Sequence, residues 1–159
     1  KGSYAGAMGF GQFMPDSYRN YAVDFDNDSI ADIWKNPSDA IGSVSNYLMR
    51  HGWEKDEIIV AKAKLTEKRG HEITYNKISR PKKSIEKFIE LGLEPLSLDA
   101  KQGLKALPIK LQNEAKEEYW FGFQNFHVIG RYNPRVKSAM AVTQLSYLVK
   151  DRFCEVHLC

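Results

Sequence analysis

Three aspartates at alternate positions, in Asp24-Phe25-Asp26-Asn27-Asp28-Ser29-Ile30, are the first chemical feature of this 159-residue chain. Their carboxylates repel one another in a short loop unless solvent screens them or a cation sits among them. Oxygen donors on an irregular loop suit Ca²⁺, a hard cation that tolerates a large and flexible coordination sphere. The order follows the front half of an EF-hand loop, with the Ile30 carbonyl as a further donor. The back half departs from it, because Ser29 replaces the usual glycine and Lys35 stands where a bidentate Glu belongs. Asp39, just past Pro37, is placed to reach back as the closing carboxylate. A solvated acidic turn uses the same residues. The apolar frame of Val23, Phe25, Ile30, Ile33 and Trp34 tilts the balance toward calcium.

The opening stretch, Lys1 to Pro15, packs four of the 11 glycines among aromatics and methionines. It has neither a helical nor an alternating apolar period, so it reads as a tight, buried, irregular loop. Gly9-Phe10-Gly11-Gln12 has no preceding strand, which removes a dinucleotide turn from consideration. Ser3 and Gln12 offer hydrogen-bonding groups beside the apolar walls of Tyr4, Phe10, Phe13 and Met14. Sugar sites combine groups in this way, since a pyranose ring pairs an apolar face with equatorial hydroxyls. A purely structural loop is the competing reading.

These residues need elements to hold them. Pro15 permits a helix start, with Asp16 to Ala22 as two turns. Asn36-Pro37 reads as an N-cap followed by proline at the first helical position, and Gly52 as the stop. Ile58 to Leu65 ends in alternation and reads as a strand with Lys62 and Lys64 outward. Ser84 to Leu91 reads as a short helix; Leu104 to Leu111, Tyr119 to Phe123 and Phe126 to Ile129 read as strands. Asn133-Pro134 opens a long helix to about Phe153, apolar nearly all round and therefore expected to be buried. The expected class is α+β: a mainly helical core with the acidic loop, interrupted by a small β-rich insert. The expected divisions are residues 1–53, 54–129, 130–153 and a tail, 154–159.

Composition narrows the function classes. Hydrophobic residues make up 43% of the chain, which places it among globular proteins, and no stretch has the apolar length of a membrane span. A net charge of +3 is too mild to argue for nucleic acid. Cys154, His157 and Cys159 could form part of a metal site, but a disordered tail or a small disulfide accounts for them more simply.

The run Ser3-Tyr4-Ala5-Gly6-Ala7-Met8-Gly9-Phe10-Gly11-Gln12-Phe13-Met14-Pro15 strongly resembles the signature of lytic transglycosylases of the membrane-bound B family. The similarity continues through Tyr21 to Phe25, Asp39 to Val44, Tyr47, His51-Gly52-Trp53, Tyr119-Trp120 and Arg131-Tyr132-Asn133. It extends to the final helix. The resemblance implies a goose-type lysozyme-like core that cleaves the MurNAc–GlcNAc bond of peptidoglycan and leaves a 1,6-anhydro sugar. It implies a glycan cleft lined by Ser3, Gln12, Phe13, Tyr47, Tyr132 and Asn133. It also implies a structural Ca²⁺ held by Asp24, Asp26, Asp28, Ile30 and Asp39. This chain has one residue more between Trp34 and Asp39 than the family pattern, and Ser138 where the family has a tyrosine.

The family's catalytic Glu lies upstream of the Ser-Tyr-Ala-Gly signature, and none of Glu54, Glu57 or Glu118 stands in a matching context. No catalytic residue is therefore expected within the chain. The implied partners are glycan strands and an N-terminal part of the same enzyme. The implied location is the periplasm of a Gram-negative bacterium, with any outer-membrane anchor on a segment outside this chain. A peptidoglycan-binding module that never cleaves, and a calcium-stabilised scaffold with a vestigial cleft, are the alternatives.

Overall fold

The computed structural model describes residues 3–66, 68–97, 103–113 and 116–157. The chain divides into two compact units, Lys1–Trp53 and Glu54–Cys159.

The first unit is an irregular hairpin, two helices and the acidic loop. Helix α1 spans Pro15–Tyr21 and α2 spans Pro37–Arg50. Asn36 caps α2 as its sequence predicts: its side-chain oxygen accepts the N–H of Ser38 at 3.0 Å and of Asp39 at 3.4 Å. Such a cap is worth about 1 kcal/mol. The opening loop is irregular as expected but is not buried. Phe13 is enclosed, whereas Tyr4, Phe10 and Met14 are exposed. The backbone explains the difference. Met8 and Phe13 exchange both N–H···O bonds, at 2.8 and 2.9 Å, so residues 9–12 double back in a turn that leaves Phe10 outward. Gly9 is indispensable to that turn. Its φ is +65°, and a Cβ there would stand 2.4 Å from the Ile33 carbonyl oxygen.

The second unit is built on a five-stranded antiparallel sheet. Its strands are β1 (Val60–Leu65), β2 (Lys83–Ser84), β3 (Leu93–Pro95), β4 (Lys105–Gln112) and β5 (Glu117–Gly122), in the order β2-β4-β5-β1-β3. Residues Ala61 and Ala63 of β1, Leu93 of β3, Ala106 of β4 and Phe121 of β5 turn to one face. There they bury Ile85 and Phe88 of helix α3 (Ile85–Ile89). Each large side chain enclosed in this way contributes roughly 1.5–3 kcal/mol. Lys62 and Lys64 point outward, as the alternation predicts. Pro108 sits within β4, where it can donate no ladder bond. Asn76 covers that edge by donating to the Pro108 and Lys110 carbonyls and accepting the Lys110 N–H.

Two expectations are corrected here. Phe126 to Ile129 is not a strand: it belongs to helix α4, Gln124–Tyr132. Asn125, Phe126, Ile129 and Gly130 share one buried face at helical spacing, and the Asn125 side chain bonds the backbone of Glu54 and Glu57. A four-residue apolar run fits either period, and here the contacts on either side of it decide. The final helix α5, Val136–His157, runs longer than expected and is largely exposed. Ala139, Met140 and Thr143 are its buried residues, while Val142, Leu145, Leu148, Val149 and Phe153 face outward. Helical backbone continues through the expected tail to His157. Cys154 is disulfide-bonded, and Leu158 and Cys159 lie outside the described residues. No helix among the described residues is long and apolar enough to cross a membrane.

Candidate functional site

The acidic loop is assembled around one buried carboxylate. Asp39 enters the first turn of α2 and is fully buried. Its Oδ1 accepts the Phe25 N–H and its Oδ2 the Asp32 N–H, each at 2.8 Å. Asp24 accepts the N–H groups of Asp28 and Ser29, which curls the loop around it. Asp26 accepts the Asn36 side-chain amide at 2.7 Å, so the residue that caps α2 also grips the loop. One carboxylate oxygen from each of Asp24, Asp26, Asp28 and Asp39 falls within 4.8 Å of the others. The extra residue before Asp39 therefore does not carry its carboxylate out of the cluster. The Ile30 carbonyl accepts the Asp32 N–H at 3.0 Å, on the same loop. Of the apolar frame, Ile33 is buried and Val23 half-buried, whereas Phe25, Ile30 and Trp34 are exposed.

The loop is tied to both helices. The Val23 N–H donates to Ser43 Oγ on α2, and Tyr18 on α1 donates to the Ala31 carbonyl. The Phe25 side chain lies directly against Gly42, where any Cβ would stand 2.7 Å from the ring. An oxygen-lined cage fixed this way to α2 can hold a hard divalent cation and neutralise the mutual repulsion of its carboxylates.

Helix α2 carries the loop at one end and an aromatic cluster at the other. Tyr47 is buried and stacks on His51 one turn later, with ring centroids 3.9 Å apart and planes at 22°. Tyr21 meets the Tyr47 ring edge-on at 4.9 Å, and Phe13 lies 6.1 Å away. Asn46 donates to the Tyr21 carbonyl and holds α1 against α2. Of the residues assigned to a glycan cleft, Phe13 and Tyr47 are thus in one cluster. Tyr21 and His51 also belong to it. The helical i, i+4 spacing of Tyr47 and His51 was the available signal for the latter.

Ser3 and Gln12 stand at the exposed base and tip of the opening hairpin. Ser3 Oγ accepts the Ala7 N–H at 3.1 Å, and Gln12 Nε2 donates to the Gly9 carbonyl at 2.9 Å. The Gln12 backbone has φ +51°, which holds its side chain at the turn. Tyr132 and Asn133 belong to the second unit and close α4. Tyr132 is half-buried, and Asn133 is the exposed C-cap residue whose N–H donates to the Ile129 carbonyl.

The comparisons with known proteins agree on one family. The family model described as a transglycosylase SLT domain matches residues 1–147. The chain is 41% identical over 149 residues to membrane-bound lytic murein transglycosylase B of Escherichia coli, covering 94% of this chain and 39% of that protein. Among solved structures, it is similar to the E. coli lytic transglycosylase Slt35 in complex with bulgecin A. That match has a TM-score of 0.84 at 39% identity and covers 94% of this chain and 46% of that one. It is also similar to Slt35 in complex with calcium, with a TM-score of 0.82 at 41% identity and the same coverage. The chain thus spans less than half the length of these relatives. With a match this continuous in sequence and fold, the chain belongs to the transglycosylase SLT domain family.

Proposed function

We propose that this chain is the glycan-holding part of a peptidoglycan lytic transglycosylase whose catalytic Glu is supplied by an upstream segment. The observation that carries the reading is the unit Lys1–Trp53. It joins the Ser-Tyr-Ala-Gly signature hairpin to the Phe13–Tyr47 aromatic cluster, yet its sequence contains no glutamate. Its carboxylates are all aspartates, and the buried one, Asp39, is fully engaged with backbone donors. A relative's complex with bulgecin A supports a small-molecule site in this family.

The reaction then needs one carboxyl group. A Glu protonates the glycosidic oxygen as the bond to C1 breaks. The same Glu then takes the proton from the C6 hydroxyl of N-acetylmuramic acid while that oxygen bonds to C1, so the 1,6-anhydro ring closes without water. Such a Glu works best with a raised pKa, which an apolar wall provides by disfavouring its charged form. The buried Phe13 and Tyr47 rings pack on one another beneath the hairpin and would shape the apolar side of the cleft from within. Gln12 and Ser3 offer polar groups for its acetamido and hydroxyl substituents, and Tyr132 and Asn133 are proposed as the remaining contacts. Location follows from substrate: a periplasmic enzyme of the cell envelope.

Asp24, Asp26, Asp28, Asp39 and the Ile30 carbonyl would hold Ca²⁺, as the calcium complex of a relative supports. The ion's contribution is structural, because it neutralises the cage that fixes α2 and so positions Tyr47. The chemistry is tested by digesting purified sacculi with the complete enzyme and identifying products by mass spectrometry. Anhydromuramic ends are expected, and hydrolytic reducing ends would overturn the reading. The lack of a glutamate in the unit Lys1–Trp53 also suits a binding module that never cleaves, which would release no products even when complete.

A further inference from the structure

The segment Lys77-Ile-Ser-Arg80-Pro-Lys82-Lys83 places four cations in seven residues, and no role in glycan cleavage accounts for them. All four line a single groove of about 370 Å³ in the second unit. Its floor is apolar, formed by buried Phe88 of α3 and Leu107 of β4. All four cations are exposed, and none forms an ion pair among the described residues. Three other cations on or beside this sheet are matched, Lys64 with Glu94, Lys110 with Glu117 and Lys116 with Glu118, and Lys62 lies over the Trp120 ring. The one carboxylate in the groove, Glu72, is already occupied by a two-pronged contact from Arg69 at 3.0 and 3.2 Å. An adjoining groove shares Arg80 and Lys82 but also carries Glu54 and Glu57, so it lacks the single sign of the first.

Four unneutralised positive charges around one concavity repel one another, and an anion entering between them relieves that repulsion. The shape adds a second requirement. A bilayer surface is flat and cannot reach an apolar floor recessed between cations, whereas a narrow chain with small apolar side groups can. We propose that this groove binds an acidic peptide, with carboxylates on the Lys/Arg rim and side-chain methyl groups on the Phe88–Leu107 floor. The choice of ligand rests on the murein reading above: the carboxylate-rich peptide branches of peptidoglycan are such chains. The groove is thus a peptide-reading site additional to the glycan contacts, and it gives the enzyme a means of sensing whether a branch's carboxylates are free or blocked.

The test uses the free tetrapeptide branch, released from sacculi by an amidase, and the same peptide with its carboxylates converted to amides. Binding to the 159-residue chain is followed by NMR or calorimetry at low and physiological salt. The acidic peptide should bind, with affinity falling roughly tenfold on amidation and again in the double variant Lys82→Gln/Lys83→Gln. That variant should keep the parent melting temperature, since both side chains are exposed and unpaired. Equal binding of acidic and amidated peptides would overturn the proposal. So would an unchanged affinity in the double variant, or binding to anionic phospholipid vesicles with none to the peptide. The probe contains no glycan. A failure of glycan cleavage therefore leaves this result standing, and a failure here leaves the cleavage test untouched.

Discussion

Asp39 and Phe25 are joined by a 2.8 Å hydrogen bond from the Phe25 backbone N–H to the buried Asp39 carboxylate, and the Phe25 ring rests on Gly42 one turn further along α2. The bond fastens the beginning of the acidic loop to the helix. The second Asp39 oxygen does the same for the loop's end, through the Asp32 N–H. Replacing Asp39 by Ala leaves the part-buried Phe25 N–H without its acceptor and leaves the Asp32 N–H only the longer bond to the Ile30 carbonyl, at a cost of about 1–3 kcal/mol. The charge repulsion thereby relieved is smaller, because Asp26 and Asp28 are exposed and screened by solvent. Asp39→Ala should therefore unfold at clearly lower temperature than the parent even in chelator, with Asp39→Asn between them. An unchanged melt would show that the loop is not fastened through this residue.

The cage should respond to Ca²⁺ more than to Mg²⁺. Mg²⁺ demands near-octahedral geometry and gives up its water reluctantly, whereas four carboxylates on an irregular loop suit the larger ion. Ligand linkage stabilises the fold by about 2.7 kcal/mol at a hundredfold excess over Kd. Thermal melts in Ca²⁺, Mg²⁺ and chelator should rank in that order, and Asp26→Ala should lose most of the Ca²⁺ response. Equal shifts with both ions, or a full response in Asp26→Ala, would reduce the cage to a solvated acidic turn.

Much of this architecture was readable in advance where a residue type has one dominant use. Asn36-Pro37 announced α2, and the alternation of Lys62 and Lys64 announced β1, because capping and strand periodicity are local. The errors fell where burial depends on distant partners. Phe126 to Ile129 carried no period of its own; Gly130 packed on Ile78, and Asn125 bonded to Glu54 and Glu57, make it helix. The apolar residues of α5 predicted enclosure, yet a helix is buried only where another surface meets it, and that happens at Ala139, Met140 and Thr143. The site shows the same division. The acidic cluster was evident from spacing, whereas the meeting of Phe13, Tyr21 and Tyr47 joins three segments that only the fold brings together.

His127 on α4 makes stability depend on pH. Burial pushes its imidazole below the ordinary value, and the neighbouring positive charges of Arg131 and Arg80 push it further the same way. The folded chain therefore resists a proton that the unfolded chain accepts near pH 6.5. Its contribution is fully present above that value and declines as pH falls from about 6.5 toward the lower folded pKa. Denaturant melts should lose stability as pH falls from neutral through about 6.5, and His127→Gln should flatten that slope. A variant with the parent's pH profile would remove His127 as the cause.

Paired digestion of purified sacculi tests the central claim most directly. One arm receives the 159-residue chain alone, and the other receives the same chain joined to the upstream segment of its own gene. Products are identified by mass spectrometry. The account predicts anhydromuramic ends from the joined protein and none from the chain alone, which should still be retained on the sacculi. Anhydromuramic ends released by the chain alone would contradict it, because a carboxyl group within these residues would then be carrying the reaction.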